Sequence, residues 1–156
     1  MKSKYTIFQI AIEILGLIMI LGMIIFVCLQ WNQLPDKIPG HFNVMGEVDR
    51  WGSENELITL PIISTFLYTV LTVLSFLPQT WSVPVKTTNL DREVVYRHTR
   101  SLLILIKVEI LLIFLYITYC MTKAQSLSSG VISIIILVIF ITIINYAINI
   151  RKIGKE

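Results

Sequence analysis

The chain has 156 residues, of which 55% are hydrophobic and 15% charged, and its formal net charge is +3. A water-soluble domain with so few charges could not cover its surface with polar groups, so lipid must cover it instead. The apolar content excludes a disordered chain, two cysteines are too few for a disulfide-rich scaffold, and the modest charge excludes a soluble nucleic-acid binder. The composition predicts one integral membrane domain.

Four apolar stretches are long enough to cross a bilayer, which takes about 20 residues of helix. They cover residues 7–29, 57–77, 101–121 and 130–150. Loops at 30–56 and 78–100 and a short turn at 122–129 connect them. The third helix is expected to begin before its span, with Asn89 or Asp91 as its cap, and to project into the cytoplasm. We therefore predict an all-α membrane protein, a four-transmembrane-helix bundle with a structured extracytoplasmic loop between the first two helices.

The distribution of lysine and arginine predicts the orientation, because cytoplasmic segments retain positive charge. Nine cations lie in the N-terminal stub, the second loop and the C-terminal tail: Lys2, Lys4, Lys86, Arg92, Arg97, Arg100, Arg151, Lys152 and Lys155. Three lie in the first loop and the last turn: Lys37, Arg50 and Lys123. This asymmetry predicts that both termini are cytoplasmic and that the first loop lies outside.

The first loop is too rich in proline, glycine and aromatic residues for a passive linker. An extended segment at 38–44, followed by a turn around Gly46, predicts a small hairpin or an Ω-like cap on the membrane surface. Trp31 and Trp51 are expected at the headgroup level.

The start of the second helix carries two signals. Ser53 and Glu56 form a capping-box pattern directly before the second span. Pro61 lies too deep for a first-turn position in a span that starts at residue 57, so it predicts either a kink or a short interfacial turn before the span.

Seven residues of the first loop are candidates for binding a ligand or peptide: His41, Phe42, Asn43, Glu47, Asp49, Arg50 and Trp51. The simpler interpretation is that the polar ones hydrogen-bond the loop's own backbone and hold its turns. A metal site is a weaker alternative, with His41, Glu47 and Asp49 as candidate ligands of Zn²⁺ or a similar ion. No cofactor is expected, and the serines inside the spans have no histidine within the membrane to activate them.

The same loop carries a family resemblance. The pattern Leu34-Pro35-Asp36-x-Ile38-Pro39-x-His41-Phe42-Asn43-x-x-Gly46-x-x-Asp49-Arg50-Trp51-Gly52-Ser53, followed by Leu60-Pro61, resembles the N-terminal domain of unknown function of SdpI-like membrane proteins. These are immunity proteins against sporulation-delaying-type toxins, and the resemblance covers about residues 31–61. It implies a multi-pass protein of the bacterial cell membrane that protects its own cell from a membrane-active peptide toxin. It also implies that such a protein can hold a cytosolic transcriptional repressor at the membrane.

The second loop carries a basic cluster formed by Arg92, Arg97 and Arg100. These side chains are expected to face the anionic lipid of the inner leaflet. The alternative is that they dock a cytosolic partner such as a repressor, an expectation that comes from the resemblance.

Three ionisable residues lie inside the predicted spans, where charge is costly: Glu13, Lys107 and Glu109. Glu13 and Lys107 both lie about 9 Å from the cytoplasmic ends of their spans at 1.5 Å per residue, so we predict that they pair across the first and third helices. The alternative is that Lys107 extends to the headgroups and Glu13 carries a proton. Glu109 is turned about 200° from Lys107 around the helix and needs a different partner.

Polar side chains at helical spacing predict the inward faces of the bundle, where they hydrogen-bond across helices. They are Gln9, Glu13 and Gly16 in the first helix, Thr65, Tyr68, Thr69, Thr72, Ser75 and Gln79 in the second, Glu109, Tyr116 and Cys120 in the third, and Thr142, Asn145, Tyr146 and Asn149 in the fourth. A ligand or ion pathway is the alternative role of these faces.

These observations favour a non-catalytic membrane protein that gives protection from, or senses, a membrane-active peptide. A small transporter or channel-like subunit using Glu13, Lys107 and Glu109 is the first alternative. A membrane enzyme or metal-binding protein using His41 and Asp49 is the second. The lipid bilayer is the expected partner, direct nucleic-acid binding is not expected, and a homo-oligomer is compatible with the sequence.

Overall fold

A computed structural model describes residues 4–77, 81 and 89–153. Its helices are α1 (Ile7–Gln30), α2 (Thr59–Ser75), α3 (Asn89–Thr122) and α4 (Ser129–Ile153). Between α1 and α2 lies an antiparallel hairpin of β1 (Ile38–Phe42) and β2 (Val48–Gly52), flanked by 3-10 turns at Trp31–Gln33 and Glu54–Ile58. Within these described ranges, four helices are long and apolar enough to cross a membrane. The predicted fold class, an all-α four-helix membrane protein, is confirmed.

Helix α3 is the centre of the bundle, since α1, α2 and α4 each pack chiefly on it. We call the end of the bundle where α1 and α3 finish and the hairpin lies the hairpin end. The opposite end, where α1 begins, is called the terminal end. The outer faces of the helices expose large apolar side chains, among them Ile18, Phe66 and Leu137, as expected for surfaces that contact lipid.

Helix α1 begins with a capping box at the terminal end. The Thr6 side chain accepts from the Gln9 backbone N–H, and Gln9 Oε1 accepts from the Thr6 backbone N–H in return. The fully buried Gln9 amide also donates to the Arg97 backbone oxygen at 3.0 Å and to Ser101 Oγ at 2.9 Å. One residue therefore closes the start of α1 and fastens it to α3.

Only half of the predicted capping box forms before α2. In the described chain the Ser53 side chain makes no capping hydrogen bond, whereas the Glu56 carboxylate accepts from the Ser53 backbone and also from Arg50. A short 3-10 turn precedes the helix, which is one of the two arrangements that Pro61 predicted. Pro61 is the third residue of α2, a first-turn position where its missing N–H has no intrahelical acceptor to lose.

Helix α3 begins at Asn89, before its membrane span of 101–121 and close to the start that the sequence predicts. Most of the described part of the predicted loop 78–100 is therefore helical. Its 34 residues give a length of about 51 Å, well over the 30 Å of a hydrocarbon core. Residues 78–80 and 82–88, including Gln79 and Lys86, lie outside the described residues, as do Lys2 and Lys155.

A buried apolar cluster seats the hairpin on the bundle. Its members are Val27 of α1, Ile38 of β1, Leu57 of the second 3-10 turn and Met121 of α3. Trp31 follows the end of α1 and packs against this cluster. It is therefore half-buried in protein. Because the hairpin contributes to a shared core, its position relative to α1 and α3 is fixed.

Candidate functional site

The hairpin turn is organised by Asn43. Its side-chain Oδ1 accepts from the backbone N–H groups of Met45 (2.9 Å) and Glu47 (3.0 Å), and its Nδ2 donates to Glu47 Oε2 at 3.0 Å. The Asn43 backbone N–H also donates to the Glu47 backbone oxygen at 2.9 Å. Asn43 and Glu47 therefore hold the turn in the way that the simpler interpretation of the sequence expects.

The tip of the hairpin is fastened to the turn between α3 and α4. The Leu127 backbone N–H donates to the Gly46 backbone oxygen at 2.8 Å. Gly46 has a φ of 84°, and a Cβ added to it would lie 2.5 Å from the Leu127 backbone oxygen. Only glycine combines that backbone conformation with so close an approach.

His41 and Asp49 meet across the two strands. His41 Nδ1 lies 2.6 Å from Asp49 Oδ1, and the two side chains are 63% and 43% exposed. When Nδ1–H is donated to Asp49, Nε2 is left as a hydrogen-bond acceptor. Glu47 bonds Asn43 instead, and among the described residues no group of three or more His, Cys, Asp and Glu side chains is arranged to hold a metal ion.

Arg50 clamps the hairpin to the start of α2. Its Nη1 donates to Glu56 Oε1 at 3.0 Å and its Nη2 donates to Glu56 Oε2 at 2.7 Å. Nη2 also donates to the Gly40 backbone oxygen at 2.6 Å. The hydrogen bonds and negative charge of Glu56 raise the pKa of Arg50 above its ordinary value, so the guanidinium stays charged.

Beneath the hairpin lies a cavity of about 450 Å³, bounded by β1, the start of α2 and the end of α3. His41, Arg50 and Glu56 supply polar lining. Ile117 and Met121 of α3 supply apolar lining. An apolar cavity of this size with a few polar groups is the usual form of a small-ligand or side-chain pocket.

The predicted aromatic residues of the loop have different surroundings. Trp51 is 50% exposed on β2, and Val44 and Met45 expose their side chains at the turn. Phe42 packs against the buried cluster below the hairpin and is half-buried. Trp51, Val44 and Met45 are therefore the apolar side chains that the hairpin presents on its surface.

A second polar cluster lies inside the bundle, in the terminal half. Lys107 Nζ lies 2.5 Å from Glu13 Oε2 and 2.7 Å from Thr72 Oγ1, and 4.2 Å from the centre of the Tyr68 ring. The Tyr68 hydroxyl donates to Glu13, 2.9 Å from the backbone oxygen and 3.1 Å from Oε2. The Lys107 side chain is 1% exposed, so the structure brings the two predicted partners together in the interior and not at the headgroups.

Glu109 faces a different helix from Lys107. Its Oε1 accepts from Thr142 Oγ1 of α4 at 2.6 Å. Buried oxygens of both intramembrane acids, Glu13 Oε1 and Glu109 Oε2, accept no hydrogen bond from any residue that the structure describes. The carboxylates thus connect α3 to α1 on one side and to α4 on the other, with acceptor capacity left over.

Comparison with known proteins finds a match in the N-terminal half of the chain. Residues 18–65, which run from α1 through the hairpin into α2, match the family described as Domain of unknown function (DUF1648). The chain is a membrane protein in which these residues are similar to that domain. An uncharacterized protein of Archaeoglobus fulgidus is 34% identical over 61 residues, which are 39% of this chain and 33% of that protein. The chain thus spans about a third of the length of the curated relative it matches, and no solved structure matches it.

The DUF1648 domain contains the whole hairpin but not everything that supports it. Leu127, Ile117 and Met121, which contact the hairpin or line the cavity below it, lie outside residues 18–65. The intramembrane pair also lies outside the domain. The structured part of the loop therefore depends on the later helices.

The three arginines of the predicted basic cluster differ in their exposure. Arg92 and Arg97 are exposed, but Arg100 is 3% exposed. Arg100 Nε donates to the Ser75 backbone oxygen at 3.1 Å, and its guanidinium lies 4.5 Å from the centre of the Tyr5 ring. The prediction that Arg100 forms part of a docking surface is wrong, because its charge binds the C-terminal end of α2.

Several polar side chains of the helices bond across helices, and others do not. Tyr146 lies 3.0 Å from Thr99, and the Ser75 and Tyr5 hydroxyls lie 2.6 Å apart. Thr65 and Thr69 instead donate to backbone oxygens four residues earlier in α2. The sequence did not single out Tyr68 and Thr72 as contacts of the ion pair, because helical spacing shows which face is polar but not which helix lies opposite it.

Proposed function

We propose that this chain is a non-catalytic protein of the bacterial cell membrane that binds a membrane-active peptide at its hairpin, and thereby protects the cell or senses the peptide. The observation that carries the proposal is the cavity of about 450 Å³ beneath a hairpin that Arg50 and Glu56 clamp in place. The resemblance of the same residues to SdpI-like immunity proteins supports it. The DUF1648 match over residues 18–65 covers the hairpin and its clamp.

The orientation follows from charge. We propose that the terminal end, with both termini, is cytoplasmic, because nine of the lysine and arginine residues belong to the N-terminal stub, the predicted second loop and the C-terminal tail of the sequence, and three to the first loop and the last turn. The hairpin then lies at the outer surface, where an external peptide arrives.

The proposed binding surface combines apolar and polar groups. Trp51, Val44 and Met45 supply exposed apolar contact area at the hairpin surface. The His41 imidazole, oriented by Asp49, supplies a hydrogen-bonding group at the edge of the cavity. Arg50 is already engaged by Glu56, so it shapes the cavity and contributes less to contact with the peptide.

A survival assay tests the proposal. The chain is expressed in a sensitive bacterium, which is then challenged with a sporulation-delaying-type peptide. We expect protection by the wild type, reduced protection by Trp51→Ala and His41→Ala, and full protection by Lys37→Ala, an exposed change in the same loop. With purified protein in micelles, Trp51→Ala should weaken binding of the labelled peptide roughly tenfold or more, as for a central aromatic contact. No protection by a wild-type chain that reaches the membrane would overturn the proposal.

A second candidate function has one observation in its favour. The buried Glu13–Lys107 pair, with acceptor capacity left on Glu13, is the type of group that transporters place on an ion or proton pathway. A small transporter would lose activity on Glu13→Gln and keep it on Trp51→Ala. If protection is lost with Trp51→Ala and kept with Glu13→Gln, the function belongs to the hairpin.

Arg92 and Arg97 are the remaining candidates for a cytoplasmic partner. We propose that, if a cytosolic repressor is held at this membrane protein, these two exposed cations of α3 contribute to the contact. Charge reversal at both positions should then release a tagged repressor from membranes, while Arg151→Glu on α4 should not.

A further inference from the structure

Helix α4 presents an unpaired amide on its outer surface. It is the least buried of the four membrane helices and packs chiefly on α3. Its Thr142 and Tyr146 side chains hydrogen-bond to residues of α3. The sequence predicts the same inward face for Asn145, but this side chain is exposed and makes no hydrogen bond with any residue that the structure describes.

The Asn145 amide lies within the depth of the hydrocarbon. Arg151, the first cation at the end of α4, follows six residues later, about 9 Å along the helix axis. The asparagine side chain is much shorter than the lysine and arginine side chains that extend to headgroups. Ile141 and Ile148, one turn to either side on the same face, are 50% and 47% exposed. The amide therefore faces lipid tails, where a polar group without a hydrogen-bond partner is costly.

The residues in line with Asn145 have the spacing of a contact between two helices. Alternating steps of three and four residues lead from position 131 to position 148, which is the a/d spacing of a coiled coil. We call this stripe the α4 seam; its members, all exposed, are Val131, Ile134, Val138, Ile141, Asn145 and Ile148. In this spacing Asn145 occupies an a position, as Val131 and Val138 do. A single asparagine at such a position fixes the register and the oligomeric state of a parallel helix pair.

The partner that fits the α4 seam is a second copy of this chain. All copies insert in the same direction, because each carries the same distribution of cations. A two-fold axis perpendicular to the membrane then brings two α4 helices together in parallel, with each residue of the seam beside its own counterpart at equal depth. A carboxamide has both a donor and an acceptor, so the two Asn145 side chains complement each other, Nδ2 to Oδ1. An unrelated apolar helix would leave the amide unpaired.

We propose that the chain forms a parallel homodimer in the membrane through the α4 seam, with the two Asn145 carboxamides hydrogen-bonded at the two-fold axis. The pairing breaks no hydrogen bond among the described residues of either copy, because the seam lies on a different side of α4 from Thr142 and Tyr146. The hairpin belongs to the segment between α1 and α2. The proposal therefore does not depend on the proposed peptide-binding function.

Energy transfer between donor-labelled and acceptor-labelled copies of the full chain measures the association. The copies are mixed in phosphatidylcholine vesicles at a series of protein-to-lipid ratios. We expect the wild type to associate and Asn145→Leu to raise the dissociation constant about tenfold, as for the loss of an interhelical hydrogen bond. Asn145→Gln keeps the carboxamide and should retain more of the association than Asn145→Leu. Ser133→Leu, the matched control, removes an exposed polar group of α4 outside the seam and should leave the association unchanged.

Cysteine cross-linking locates the contact. In a background of Cys28→Ala and Cys120→Ala, Ile141→Cys on the seam should give a dimer-sized disulfide product on oxidation. Ile143→Cys, at nearly the same depth on the opposite side of α4, is also exposed but should not. Circular dichroism shows that each variant keeps its helices, which Asn145→Leu should do because the amide bonds nothing described within its own copy.

Three results would overturn the proposal. The first is energy transfer by the wild type that never exceeds the value for randomly distributed monomers. The second is a helical Asn145→Leu variant that associates as tightly as the wild type. The third is cross-linking from Ile143→Cys equal to that from Ile141→Cys, since the contact would then not be the α4 seam.

Discussion

Replacement of Lys107 by methionine tests the energetics of the intramembrane pair. Methionine keeps an unbranched side chain of similar length but removes the ammonium that lies 2.5 Å from Glu13 Oε2 and 2.7 Å from Thr72 Oγ1. Glu13 then keeps the Tyr68 hydroxyl as its donor in the cluster, and its carboxylate is left without a partner of opposite charge. The cost of that unpaired charge sets the loss of stability.

The magnitude is that of a buried charge left without its partner. Removing one partner of a buried ion pair costs about 3–5 kcal/mol, because the remaining charge is uncompensated. We therefore expect Lys107→Met to lose about 3–5 kcal/mol of its free energy of unfolding relative to the wild type.

Unfolding in mixed micelles by titration with sodium dodecyl sulfate, followed by circular dichroism, measures this difference. The double variant Glu13→Gln/Lys107→Met has no unpaired carboxylate, so its difference from the wild type should be smaller than that of Lys107→Met. Lys123→Met, an exposed lysine near the hairpin end, is the matched control. A Lys107→Met variant as stable as the wild type, or a double variant as unstable as Lys107→Met, would refute the reasoning.

Two further predictions concern the hairpin. Gly46→Ala should lower the free energy of unfolding by about 1–2 kcal/mol for the left-handed backbone alone. The added Cβ should also push Leu127 away, so amide hydrogen exchange in β1 and β2 should accelerate. Gly22→Ala, whose added Cβ meets open space, should leave the exchange unchanged. Arg50→Lys should keep the charge but lose the two-pronged contact with Glu56, so limited proteolysis should cut the hairpin sooner than in the wild type, and equal cleavage rates would contradict the clamp.

Much of the fold was predictable because membrane segments obey a simple constraint. A helix must satisfy its backbone internally across about 30 Å of hydrocarbon, so the length of an apolar run locates it directly. The hairpin was predictable because Gly46 and the surrounding prolines restrict the backbone. The contact of Glu56 with Arg50 at the start of α2 was not predictable, because it depends on how β2 is placed against the turn that precedes the helix.

The candidate site was predictable only where a single quantity determined the contact. Glu13 and Lys107 could be paired because the sequence places them at equal depth in the membrane. The burial of Arg100 was not predictable, because counting cations assigns a side of the membrane but does not show that Tyr5 and Ser75 surround one of them. The contact of Gly46 with Leu127 likewise depends on which loops meet in space, and the sequence holds no local signal for it.

The bond between Gly46 and Leu127 also constrains the order of assembly. The hairpin is synthesised after α1, whereas Leu127 follows α3, so the hairpin tip has no anchor until a third helix has been inserted and the chain has turned toward the fourth. Contacts between segments so distant along the chain form late, after the loop between them has closed. During that interval Ile38 and Leu57 lack the Met121 side of their cluster. Until the bundle is complete, the nascent hairpin is therefore open to proteolysis and to wrong pairing.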